Sequence, residues 1–256
     1  MAEISALPAF VRRRLDPAQR YGLRLTLFAV VIVLVFVPFG FLLEQVVDQG
    51  RFTTYDRSVA ENLHDIVRSH RGLIGPLQFL SFLGKPIWFY IVVGAAGVFL
   101  WTRGRVRLVL FLVTTGVVGG LIDTVVKVLV SRPRPRLDEP IATAFGKSFP
   151  SGHAFTATAL YGALLLCFLP VIAKRWRAWA IGFYVVLVCA IAFSRLALGV
   201  HFVTDVVGGI VLGGAWLAAS TAAFEIWRVE RGRKRTAPLK EGVEPEAARE
   251  LKRSRR

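Results

Sequence analysis

Charged residues are nearly absent from six long stretches of this chain and crowd into the segments between them. The uncharged stretches cover residues 25–43, 86–102, 108–126, 154–173, 178–194 and 206–224, with Asp123 as the one interruption. The second can be extended back towards Phe79. Helices of 17 to 20 such residues are long enough to cross a hydrocarbon core of about 30 Å. The pattern predicts an all-α fold, a polytopic membrane protein with six transmembrane helices. The first stretch lacks the short apolar core and small-residue cleavage site of a signal peptide, so it reads as a retained span. Between the first two spans, residues 56–70 place Val59, Leu63 and Ile66 at helical spacing. They predict an amphipathic helix, lying at the membrane surface or packed on the protein. His64 and His70 there have no motif around them and read as solvated.

Composition agrees. Hydrophobic residues make up 54% of the 256, and the mean hydropathy is +0.54, more apolar than soluble domains. The net charge of +16 first suggests a nucleic-acid partner. Its distribution argues otherwise. Twenty-two of the 33 Lys and Arg lie before the first span, in the short turns at 103–107 and 174–177, or after the sixth span. These segments share one side of a six-span protein, and the positive-inside bias makes that side cytoplasmic, with both termini. The charge is then topology, and no nucleic-acid partner is expected. The organisation reads as a cytoplasmic segment 1–24, a membrane domain 25–227 and a basic cytoplasmic tail 228–256, disordered by composition. Cys167 and Cys189 lie in apolar runs without metal-like spacing and read as buried hydrophobes.

Three polar islands break the pattern. Lys127-Val-Leu-Val-Ser-Arg-Pro-Arg134-Pro135 ends the third span, Pro150-Ser151-Gly152-His153 opens the fourth, and Ser194-Arg195-Leu-Ala-Leu-Gly-Val-His201-Phe-Val-Thr-Asp205 joins the fifth to the sixth. Counting spans puts all three on one face, opposite the basic turns and therefore outward. Their cations run against the positive-inside bias, and ionisable groups at membrane depth mark functional sites.

Each island suits anion chemistry. Arg134 offers a fork to phosphate oxygens and Lys127 a point charge; as isolated residues both also fit snorkelling interface cations. Arg132 and Arg136 read as rim charges. Ser151 is a helix cap, the free N–H groups beyond it attract anions, and Gly152 permits close approach of the backbone. His201 and Asp205 are four apart, neighbours on one helical face. A carboxylate on one imidazole nitrogen fixes the tautomer and leaves the other nitrogen free to attack. Of the two island histidines, only His201 has a carboxylate nearby in sequence. Asp123, four before Lys127, is placed to pair with it. Gly208, Gly209, Gly213 and Gly214 give the last span a small-residue face for close packing.

Read together, Lys-x6-Arg-Pro, Pro-Ser-Gly-His and Ser-Arg-x5-His-x3-Asp resemble the three signatures of the type-2 phosphatidic acid phosphatase superfamily, integral-membrane branch. All three are complete and in order over residues 127–205, about a third of the chain. The resemblance implies a metal-independent phosphatase without cofactor. His201 would attack phosphorus to form a phosphohistidine, Asp205 would orient it and His153 would protonate the leaving oxygen. Lys127, Arg134, Ser151, Gly152 and Arg195 would bind the phosphate.

The reading favoured is an enzyme that hydrolyses a terminal phosphate of an anionic membrane lipid on the outer face of the plasma (inner) membrane. Candidate lipids are an isoprenyl diphosphate such as undecaprenyl diphosphate, phosphatidylglycerophosphate and phosphatidate. A phosphotransferase of the same family, and a transporter or lipid-binding protein without turnover, are the alternatives. No inverted repeat supports a transporter. Six spans in a short chain argue against a vanadate-dependent haloperoxidase, and nothing in the sequence speaks to oligomeric state.

Overall fold

The computed structural model describes residues 39–40, 43–44, 51–137, 141–248 and 251. Every regular element among them is helical. In chain order these are α1 (Arg51–Ser69), α2 (Ile74–Phe82), α3 (Pro86–Thr102), α4 (Val106–Val130), α5 (Gly152–Val171), α6 (Lys174–Ala197), α7 (Val203–Glu230) and the short α8 (Pro238–Glu241). The first expected span, 25–43, lies outside the described residues except at its end. Among the described residues four helices, α4 to α7, are long and apolar enough to cross a membrane. A fifth span results if α2 and α3, bent by 47° at their junction, are taken together.

Three of the helices, α4, α6 and α7, outrun the uncharged stretches that predicted them. The run expected over 206–224 extends from Val203 to Glu230, and 178–194 from Lys174 to Ala197. Helical hydrogen bonding tolerates charged side chains at the ends, whereas apolarity stops at the first charge. Lys127, Arg195 and Asp205 therefore project from helical backbone.

α5 forms the centre and is the most buried of the long helices. It relaxes into a π turn at Ala157–Tyr161, a feature common at functional sites. Tyr184 Oη donates to the Thr158 carbonyl at 2.8 Å, and Trp88 Nε1 donates to Tyr161 Oη at 2.9 Å. α7 lies against the start of α5 through the expected glycine face. A Cβ on Gly209 would stand 2.5 Å from the Ser151 carbonyl oxygen, and one on Gly213 2.6 Å from that of Phe155. Only glycine permits that approach, and the first of these contacts holds the second island against the third. Gly209→Val is expected to part these helices and lower thermal stability in detergent, with lost activity. Gly214, with nothing nearer than 3.9 Å, should accept alanine without a change in melting temperature.

The outer faces of α3, α4 and α6 expose Tyr90, Trp101, Leu121, Leu129, Trp179 and Phe183. So large an apolar girdle is unsuited to water and suits lipid.

At one end of the bundle the basic turns meet the tail. Arg107 stacks over Trp227 at 4.8 Å, and Arg177 donates to the Lys240 carbonyl. The tail expected to be disordered from Arg228 is, where described, folded back. Val243, Ala247 and Leu251 join the core around Leu112, Leu166 and Phe224, and Arg228 pairs with Glu246 at 3.0 Å. These few apolar residues, spaced among charges, escape a compositional reading yet suffice to dock the segment.

α1 also departs from expectation. Its buried stripe is Asp56, Ala60, His64 and Val67, whereas Val59 and Leu63 are only partly covered and Ile66 is exposed. The helix lies polar side inward because Asp56 meets partners from the first and third islands. His64, read as solvated, is buried near Gly199. His70 is exposed, as expected.

Candidate active site

The three islands converge at the end of the bundle away from the tail. α4 ends at Ser131, whose left-handed backbone (φ 52°, ψ 26°) turns the chain and sends Arg132 inward. Arg132, read as a rim charge, is only 8% exposed. Its Nη1 donates to Asp205 Oδ1 at 2.6 Å and Thr204 Oγ1 at 2.7 Å, and its Nη2 to Asp56 Oδ2 at 2.8 Å. The guanidinium also lies 4.3 Å from the centre of the Phe202 ring. Asp56 in turn accepts from the Thr204 backbone N–H at 3.0 Å and its hydroxyl at 2.5 Å. A buried cation is thus held by two buried carboxylates, an arrangement that hydrogen bonds at every corner make tolerable.

Asp205 caps its own helix by accepting from Phe202 N–H at 2.8 Å. It also accepts from the Ser148 hydroxyl and lies 3.4 Å from His201 Nδ1. His201 is 2% exposed, and its Nε2 is 3.0 Å from Arg134 Nη1. A guanidinium only donates, so Nε2 carries the lone pair and Nδ1 the proton. That is the tautomer a nitrogen nucleophile needs. Burial lowers the His201 pKa to about 4, with the hydrogen bond and charge of Asp205 opposing the shift. The ring is then neutral at physiological pH and stays so as pH falls from 7 until it nears 4. A ¹⁵N-histidine titration of the protein, which has four histidines, should show one imidazole midpoint near 4 that vanishes in His201→Gln. A midpoint near 6.5 for that ring would contradict the geometry.

The remaining predicted residues surround this pair. Arg134 also donates to the carbonyls of Val200 (2.8 Å), Phe145 (3.1 Å) and Gly146 (3.2 Å). Burial pulls its pKa down while Asp205 pulls it up. Arg195 is buried and steadied by the Ser81 hydroxyl of α2. Lys127 pairs with Asp123 as the spacing predicted, and a Cβ on Gly152 would come within 2.8 Å of its Nζ. Gly152 therefore lets a cation lie against the first turn of α5. His153 is partly buried, and its Nε2 has no hydrogen-bond partner among the described residues. Arg195, His201, Arg134 and Lys127 all lie within electrostatic reach of it. Ser151 is fully buried with a hydroxyl equally without partner, while its N–H donates to the Asp205 carbonyl at 2.9 Å.

Every predicted site residue is thus brought to one place, in a field of three cations with two unpartnered polar groups. Such an arrangement can receive an anion, attack it from Nε2 and pass a proton from a second imidazole. Among the described residues no three His, Cys, Asp or Glu side chains group as metal ligands. The sequence reading missed Asp56, Ser148, Ser81 and the inward role of Arg132. A charge at Asp56 in helical register with Ala60 and Val67 was the available signal for the first.

Comparison with known proteins follows the same lines. Residues 106–228 match the family model of the PAP2 superfamily. The chain is 36% identical over 126 residues to phosphatidylglycerophosphatase B of Bacillus subtilis, covering 48% of this chain and 60% of the relative. It is 33% identical to decaprenylphosphoryl-5-phosphoribose phosphatase of Mycobacterium tuberculosis, covering 56% of this chain and 75% of the relative. The fold resembles that of a transmembrane PAP2-type phosphatidylglycerolphosphate phosphatase from Bacillus subtilis, with a TM-score of 0.60, 22% identity, and coverage of 84% of this chain and 98% of that one.

Proposed function

The chain belongs to the PAP2 superfamily, and we propose that it is an integral-membrane phosphatase that removes a terminal phosphate from a lipid. The observation that carries this is the neutral, buried His201, with Asp205 on Nδ1 and Nε2 turned to Arg134. Its relatives are named for lipid phosphates: phosphatidylglycerophosphate, decaprenylphosphoryl-5-phosphoribose, lipid A 1-phosphate and undecaprenyl diphosphate. An isoprenyl diphosphate, phosphatidylglycerophosphate and phosphatidate are the substrates to test.

In the reaction, His201 Nε2 bonds to phosphorus as the bond to the lipid oxygen breaks. His153 gives a proton to that oxygen and takes one back from the water that next attacks the phosphohistidine. Phosphate leaves and both imidazoles are restored. Arg134, Arg195 and Lys127, with Ser151 and the Gly152 backbone, hold the equatorial oxygens, the largest contribution expected. Arg134 exchanges its bond to Nε2 for one to phosphate. Six spans, with 25–43 the first, put both termini in the cytoplasm and the site on the outer face of the plasma membrane.

Purified protein should release phosphate from at least one of the three lipids in EDTA. Absence of release from all of them would overturn the reading, and release that needs a divalent cation would overturn the histidine mechanism.

A further inference from the structure

Beside the nucleophile, α1 and the 132–137 loop line a half-open cavity of about 450 Å³, at which Arg57 and Arg136 are exposed. Four arginines line it, Arg57, Arg132, Arg134 and Arg136, against one lining carboxylate, Glu61; Arg132 is already paired with Asp56 and Asp205. Arg57 and Arg136 make no ion pair among the described residues. Thr53, on the same wall, has a buried hydroxyl without a hydrogen-bond partner there. The three guanidiniums there without a carboxylate partner among the described residues repel one another, and a buried hydroxyl without partner is costly. Both are relieved by an anion rich in acceptors. Arg134 is shared: it lines the cavity while its Nη1 touches His201 Nε2. An anion in the cavity therefore sits one guanidinium away from the phosphorus to be attacked.

We propose that this cavity binds a second phosphoryl group, the one on the lipid side of the phosphate that is cleaved. Arg57 and Arg136 hold its oxygens, Thr53 donates to one of them, and Pro133 and Pro135 stiffen the loop that carries Arg136. The proposal deepens the phosphatase reading and rests on it for the word cleaved. It selects lipids with two phosphoryl groups, joined directly as in an isoprenyl diphosphate or through glycerol as in phosphatidylglycerophosphate. Phosphatidate, with one, leaves the cavity unused. Arg57 and Thr53 lie on α1, outside the stretch matched by the family model, whereas Arg136 lies within it.

The test compares the full chain in detergent with Arg57→Ala/Arg136→Ala. Titration with methylenediphosphonate and with inorganic phosphate needs no turnover. Wild type should bind the diphosphonate at least about tenfold more tightly, and the double variant should bring that ratio near one with phosphate affinity unchanged. Equal binding of both by wild type, or a ratio that survives the substitutions, overturns the proposal. In turnover, the variant should raise KM about tenfold for the two-phosphoryl lipid and leave phosphatidate unaffected. A rise for isoprenyl diphosphate identifies the directly joined pair, and one for phosphatidylglycerophosphate the glycerol-bridged pair. Equal losses on all three lipids count against it. Wild type inert on every lipid would sink the phosphatase reading, while the diphosphonate ratio would still decide the site.

Discussion

His201→Gln is expected to lose phosphate release by about 10⁴-fold or more, with its melting temperature close to wild type. Removing a nucleophile abolishes the covalent route and leaves only what binding and charge provide. Glutamine has similar bulk and can still donate to Asp205, so the network that caps α7 remains. His153→Gln should cost less, about 10²- to 10⁴-fold, the range of a general acid. Its loss should shrink for a substrate with a good leaving group such as a nitrophenol, because that oxygen departs without a proton. A His201 variant gains nothing from the better leaving group. This contrast separates attack from proton delivery.

Arg132→Met should be the most destabilising single change near the site. It strands Asp56 and Asp205, 1% and 0% exposed, without their shared cation. Breaking a buried pair from one side costs about 3–5 kcal/mol. Expected results are a large fall in melting temperature, poor recovery from membranes and no turnover. Asp56→Asn is milder, since the amide keeps the bulk and a carbonyl for Arg132. With Asp56 neutral, Arg132 acts on Asp205 alone, which then holds His201 less strongly. Turnover should fall with KM little changed, and the His201 titration should move to lower pH. An Asp56→Asn protein with native kinetics and an unmoved His201 titration would show that α1 only covers the site.

Much of this was legible in the sequence because membrane spans and the islands between them are coarse features. The run over 86–102 coincides with α3, and island convergence follows from counting spans. His201, His153, Asp205 and the cations announced themselves as polar groups where apolar ones belong. The Asp123–Lys127 pair and the contacts of Gly209 and Gly213 followed from helical spacing. What escaped depended on long-range partners. Asp56 has no partner nearby in sequence, and its role emerges only when Arg132, 76 positions later, is folded against it. Arg132 reads as a rim charge for the same reason. The docking of the tail escapes a reading of composition because Val243, Ala247 and Leu251, which join the core, are diluted among charges. Composition weighs averages, whereas docking needs only a few well-placed contacts.

The most direct test of the account is to trap its covalent intermediate. Protein in detergent would be mixed with a lipid labelled with ³²P in the terminal phosphate, quenched in alkali within a turnover, and digested for mass spectrometry. The account predicts an acid-labile, alkali-stable phosphoryl group on His201, absent from His201→Gln. Rapid turnover with no label on the protein, or label on any other residue, would contradict it.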